Sequence, residues 1–169
     1  VKINSRRLTY TIASRIGNPM NWRIGAVSYL NTKPLIYGLS EHLPNSELIL
    51  DLPSRLADRL ATGELDVALI PSVEFLRGVG LEIVSNACIA CRGPVHSVRV
   101  LFRKPPSQVK TIALDEGSRT SAALAQVLLA ERFGIRPTRQ QLDINASITD
   151  CTADAILVIG DRAMSLDLS

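Results

Sequence analysis

Short apolar runs stopped by polar turns alternate along this chain with stretches of helical periodicity. Ile24 to Ser28 predicts a first strand. A helix is expected from Thr32 to about Leu39, with Pro34 tolerated in its first turn. Glu47 to Leu52 predicts a second strand, alternating enough to be partly exposed. Pro53-Ser54 opens an amphipathic helix with Leu56, Ala57 and Leu60 on one face and Gly63 as its stop. Asp66 to Pro71 reads as a buried strand, Ser72 to Leu76 as a short helix, and Leu81 to Ala90 as a further strand.

Arg92-Gly93-Pro94 is a break. Beyond it, Ser97 to Arg103 predicts a strand, Pro105-Pro106 a hard loop, and Thr111 to Leu114 a buried strand. Asp115-Glu116-Gly117-Ser118 turns the chain into a strong helix, Arg119 to Phe133, ended by Gly134. Ala122, Leu124, Ala125, Val127, Leu128 and Leu129 form its apolar side. Asp154 to Asp161 is another buried strand running into a polar turn. Strands that alternate with helices imply an α/β fold with a largely parallel sheet covered on both faces. The expected organisation is an N-terminal extension over 1–19, a first α/β lobe over 20–95 and a second, partial lobe over 96–169, the two facing across a cleft.

Composition narrows the function classes. The chain has 169 residues, 46% hydrophobic and 21% charged, with 19 Lys and Arg against 16 Asp and Glu and a net charge of +3. The basic residues are scattered, with no stripe and little aromatic interleaving, so nucleic acid is not an expected partner. No apolar run approaches the ~18 residues of a membrane span. The stretch Val1 to Pro19 lacks a signal-peptide core, and Met20 stands immediately before the first periodic segment as the expected natural start. The three cysteines, Cys88, Cys91 and Cys151, form an odd set that fits a reducing, cytoplasmic setting. Cys88-Ile89-Ala90-Cys91 has a metal or redox spacing, but it lies inside an apolar extended run and lacks a second ligand pair. Buried or hinge-lining thiols are the expectation there.

Three loops carry the candidate chemistry. Ser28-Tyr29-Leu30-Asn31 follows a strand, where open α/β sheets bind ligands. It offers a hydroxyl, a phenol and a carboxamide, which suits a small polar molecule, although Asn31 also fits as a helix cap. Gly93-Pro94-Val95-His96-Ser97 lies at the crossover between the halves. His96 there is one of two histidines and reads as a packing or surface residue more readily than as a base. Gly117-Ser118-Arg119-Thr120-Ser121 opens a helix. Ser118 is a natural N-cap, and the free N–H groups with Arg119, Thr120 and Ser121 suit a carboxylate or phosphate. Glu74 follows a strand end, which makes it a candidate to face the cleft. Asp66 and Asp161 read as turn or cap residues. Gly-rich nucleotide loops, nucleophile elbows and paired acidic metal motifs are lacking.

Together these segments resemble the chorismate dehydratase family of the futalosine route to menaquinone. Val27-Ser28-Tyr29-Leu30-Asn31-Thr32-Lys33-Pro34-Leu35 is similar to its opening motif. Asp66 to Phe75 is similar to its second motif, Gly93 to Val98 to its crossover segment, and Ser118 to Ala125 to its anion loop. Ala153-Asp154-Ala155 with Val158 to Ala163 is similar to its later strand. The resemblance runs in order from Trp22 to about Met164. It implies a two-lobed fold like type II periplasmic binding proteins, incomplete at the C-terminus, and an enzyme that needs neither cofactor nor metal. The implied reaction converts chorismate to 3-[(1-carboxyvinyl)oxy]benzoate and water. In that family reading Asn31 orients or polarises the leaving hydroxyl, Ser97 and the Ser118–Ser121 loop hold carboxylates, and Ser28, Tyr29 and Ser72 belong to the binding set. No side chain is an obvious base, so a substrate carboxylate is expected to take the proton.

The family continues past the position of Ser169 with a strand returning to the first lobe and helices packed over it. A truncated member, with apolar surface exposed on the first lobe and weak or no activity alone, is therefore expected. Competing readings are a binding protein of the same fold for a small anion or solute, the related 1,4-dihydroxy-6-naphthoate synthase, and a gene fragment without a function of its own. Oligomeric state is left open.

Overall fold

A computed structural model describes residues 21–78 and 80–166. The expected extension over 1–19 lies outside the described residues. The first sheet contains β1 (Arg23–Val27), β2 (Glu47–Asp51) and β3 (Val67–Ala68), in the order β2-β1-β3. Both pairings are parallel, and parallel neighbours need crossover connections. The first crossover passes through a 3-10 turn at Leu30–Thr32, then α1 (Lys33–Ile36) and α2 (Leu39–His42). The single helix expected over this stretch is broken, because Tyr37 is extended and Gly38 sits at φ 71. A left-handed glycine ends helices at little steric cost, and here it separates two short ones.

The second crossover is α3 (Pro53–Ala61), which buries Leu56 and Ala57 as its periodicity requires. Gly25 makes this packing possible. A Cβ there would lie 2.7 Å from Leu65 Cδ1, 2.8 Å from Leu56 Cδ2 and 2.9 Å from Ala68 Cβ. The missing side chain lets the helix settle on the strand. Leu48 and Leu50, paired with Ile24 and Ala26, stand on the sheet face away from α3, and both are exposed, at 39% and 54%.

The chain then forms α4 (Ser72–Leu76) and runs irregularly to the second sheet. The strand expected over Leu81 to Ala90 does not form. Among the described residues no strand edge pairs with this run, and Ile83 and Val84 are 71% and 66% exposed. Strand character expresses a fit to a neighbouring pleated surface, and without that neighbour an apolar run stays unpaired. Cys88 and Cys91 lie on the same run and are exposed, which corrects the expectation of buried thiols; Cys151 is half-buried.

The second sheet contains β4 (Val98–Phe102), β5 (Thr111–Asp115), β6 (Thr138–Leu142) and β7 (Ala155–Ile159), in the order β4-β7-β5-β6. β5 pairs in parallel with β6 and β7, but β4 runs antiparallel to β7, so this sheet is mixed rather than purely parallel. Every residue of β7 is buried, as its unbroken apolar run predicts for a central strand. α5 (Arg119–Phe133) starts at Ser118 and stops at Gly134 with φ 67, as expected. Its Ala125 and Leu129 pack on Leu157, Ile159, Ile112 and Ala155. The wider apolar side is only partly used, since Leu124, Val127 and Leu128 are exposed. A short α6 (Gly160–Met164) replaces the polar turn expected after β7.

Asp154 fixes the register at the start of β7. Its carboxylate accepts from the N–H groups of Lys110 (2.9 Å) and Thr111 (3.1 Å) and pairs with Lys104 Nζ at 2.6 Å. The Lys104 bond, reinforced by these N–H groups, holds its pKa at about 2, below the ordinary 3.8. A carboxyl depressed on folding contributes stability that is fully present above its unfolded pKa and is lost as pH falls through the folded one. Urea unfolding midpoints are therefore expected to fall between about pH 4 and pH 2, and Asp154→Asn is expected to flatten this slope. An unchanged slope in the variant would assign the acid sensitivity to other carboxylates. No helix among the described residues is long and apolar enough to cross a membrane.

Candidate functional site

The loop after β1 leaves the sheet through extended backbone at Tyr29 and closes into the 3-10 turn, where the Thr32 N–H donates to the Tyr29 carbonyl at 3.1 Å. Ser28 and Asn31 are exposed beside this turn, and the Ser28 N–H is held by the Asp51 carbonyl at 3.2 Å. Thr32 is fully buried. The Tyr29 ring belongs to two cores at once. It packs on the Val27, Leu56 and Leu65 cluster of the first sheet and on the Leu157 and Ile159 cluster of the second. Its hydroxyl is buried without a hydrogen-bond partner among the described residues. Burial, with the nearby Asp115 charge second, pushes the phenol pKa up to about 12, so the group stays a neutral donor.

The loop over Gly117–Ser121 carries the predicted cap. Ser118 Oγ accepts from the Ser121 N–H at 3.2 Å and donates to Ser121 Oγ at 2.8 Å. The other two predicted anion ligands reach across to the first sheet's helices. Arg119 pairs with Asp58 at 2.7 Å and with Glu74 at 3.3 Å, and the Asp58 bond leads the rise in its pKa. Thr120 Oγ1 accepts from the Val73 N–H at 3.2 Å and lies 3.4 Å from Ser72 Oγ. Pro71 cannot cap α4 with a side chain, so Thr120 caps it from the other sheet. Glu74, a candidate for the cleft, is instead buried and shared between Arg77 and Arg119.

Ser97 ends at the same place. It precedes β4, is half-buried, and its carbonyl accepts from the Gly160 N–H at 2.8 Å. The structure thus brings Tyr29, Ser72, Ser97 and the 117–121 loop together at strand ends of both sheets, with Ser28 and Asn31 exposed on the loop that carries Tyr29. His96 and Asp161 are exposed, and Asp66 forms an ion pair with Arg23 at 3.1 Å. Among the described residues no group of three or more His, Cys, Asp or Glu is placed to hold a metal ion.

Sequence reasoning missed the pair beneath the 117–121 loop. Asp115 Oδ1 accepts from the Gly117 N–H at 3.0 Å, and Oδ2 meets Arg162 Nη2 at 2.6 Å. Arg162 Nη1 also donates to the carbonyls of Asp143 (3.2 Å), Ile144 (2.9 Å) and Ala146 (3.1 Å). A buried carboxylate so placed fixes the loop's entry and binds the β6–β7 connection to it. The available signal was an acidic residue ending an apolar strand just before a glycine, at Asp115-Glu116-Gly117.

The sequence matches the family described as menaquinone biosynthesis over residues 22–169. It is also 28% identical over 142 residues to a chorismate dehydratase of Thermus thermophilus, covering 83% of this chain and 51% of that protein. The chain spans about half the length of that curated relative. With the family match running from Trp22 through the described loops to the last residue, the chain belongs to the menaquinone-biosynthesis family and has a chorismate dehydratase among its relatives.

Proposed function

We propose that this chain serves the dehydration of chorismate to 3-[(1-carboxyvinyl)oxy]benzoate, within a two-lobed arrangement like that of type II periplasmic binding proteins, its lobes spanning 20–95 and 96–169. The observation that carries the reading is the meeting of the Tyr29–Asn31 turn with Ser97 and the Gly117–Ser121 loop at strand ends of two sheets. That geometry suits a small polar substrate bearing carboxylates, and the similarity to a chorismate dehydratase names one.

In this mechanism the ring carbon bearing the enolpyruvyl ether loses a proton, hydroxide leaves the neighbouring carbon, and the ring becomes aromatic. Ser97 with Ser118 and Ser121 holds carboxylates. Ser28, Tyr29 and Ser72 line the same space. Arg119 and Thr120 contribute from positions already engaged with Asp58, Glu74 and Val73, so they set the loop's shape as well as its charge. Asn31 orients the leaving hydroxyl. A substrate carboxylate takes the proton, since no side chain in the set is a suitable base. No cofactor enters the reaction.

The test is incubation of the purified protein with chorismate, following loss of the diene absorbance and identifying the product by mass. The expected result is slow formation of 3-[(1-carboxyvinyl)oxy]benzoate by this chain alone. Saturable chorismate binding without any turnover would replace this reading with that of an anion-binding protein.

A further inference from the structure

The Tyr29 ring crosses from the first sheet to the second and is received there by two glycines. A Cβ on Gly117 would lie 2.9 Å from Tyr29 Oη, 3.1 Å from Ile159 Cδ1 and 3.2 Å from Asp115 Oδ1. A Cβ on Gly160 would lie 3.3 Å from Tyr29 Cζ, 3.4 Å from Cε1 and 3.7 Å from Cδ1. Each glycine therefore leaves empty the volume that one edge of the phenol occupies. Gly160 is additionally constrained by its φ of +66, where any L side chain is strained. Gly117 has no such constraint, so its lack of a side chain is explained by the phenol and the groups around it.

This seat fixes more than the tyrosine. The Tyr29 carbonyl accepts from the Thr32 N–H, which closes the turn carrying Asn31. The seated ring and the carbonyl that closes this turn therefore belong to one residue. The phenol also lies against Gly117, so the residue that closes the Asn31 turn is in contact with the loop over 117–121.

We propose that Gly117 is a positioning residue: by leaving room for the Tyr29 hydroxyl, it sets where Asn31 stands relative to the 117–121 loop. The proposal rests on the dehydratase reading only for its catalytic consequence; the seat itself is a property of the fold. Side-chain and backbone groups misplaced by about an ångström cost on the order of 10²-fold in rate. Gly117→Ala is therefore expected to lower kcat about tenfold or more, with a smaller change in KM.

The experiment is a double-variant cycle with Tyr29→Phe, which removes the atom nearest the new methyl group and keeps the ring. In the native background, Gly117→Ala is expected to lower the urea midpoint and to shift the Asn31 backbone and side-chain amide signals in a ¹⁵N–¹H spectrum. In the Tyr29→Phe background, the same substitution is expected to produce less than half of each change and to lower kcat far less. Equal changes in both backgrounds would overturn the seat. A rescued midpoint with Asn31 signals that never moved would overturn the positioning. If the native protein turns over no chorismate, the dehydratase reading fails, while the midpoints and the Asn31 signals still decide the seat.

Discussion

Arg162→Met is expected to destabilise the protein by about 3–5 kcal/mol, the scale for breaking a buried ion pair by removing one partner. The Asp115 side chain is fully buried, and that of Arg162 is 20% exposed. Without the guanidinium, the carboxylate keeps only the Gly117 N–H as a partner among the described contacts. The carbonyls of Asp143, Ile144 and Ala146 lose their shared donor in the same step. Methionine replaces much of the packing volume, so the loss reports charge and hydrogen bonding rather than a cavity. Urea unfolding measures it. Adding Asp115→Asn should recover a substantial part, because a neutral amide can still accept from Gly117 and no longer carries a buried charge. A loss below about 1 kcal/mol in the single variant would mean that water replaces the guanidinium, as it does at exposed pairs.

That pair also shows where sequence reading stops. β7 and α5 were legible because their signals are local: an unbroken apolar run, a serine cap and a glycine stop. The Ser118 cap was legible for the same reason. β6 was missed because Thr-Arg-Gln-Gln-Leu is an exposed edge strand whose only buried residue is Leu142, so it lacks the apolar alternation that marks strands. Leu81 to Ala90 failed in the opposite direction, having the pattern of a strand but no paired edge among the described residues. In the site, the chemistry of Arg119 and Thr120 was readable but their partners were not. Asp58 lies 61 positions from Arg119, Val73 lies 47 from Thr120, and Arg162 lies 47 from Asp115. No local pattern encodes which side chains the topology will set facing one another. The antiparallel β4 escaped for this reason too, since strand direction is decided by the crossover and not by the residues of the strand.

Asn31→Ala is expected to lower kcat for chorismate by about 10²–10³-fold, the range for removing one preorganised donor to a developing anion. Its effect on chorismate affinity should stay within a few-fold. The asymmetry follows from the proposed chemistry. In the ground state the leaving group is a neutral hydroxyl, which water or a neighbouring donor satisfies nearly as well as a carboxamide. As the carbon–oxygen bond breaks, negative charge collects on that oxygen, and a donor already in place is then worth far more. Asn31 is exposed on the turn locked by the Thr32 N–H, so its truncation removes the amide without opening the core. Asn31→Asp provides the second reading. It keeps the shape but places an acceptor against the growing charge, and it should lose turnover at least as severely as the alanine variant. Steady-state kinetics with a direct binding titration separates the terms. Equal losses in kcat and affinity would make Asn31 a ground-state binding residue. Full turnover in the aspartate variant would remove it from the leaving-group side of the reaction altogether.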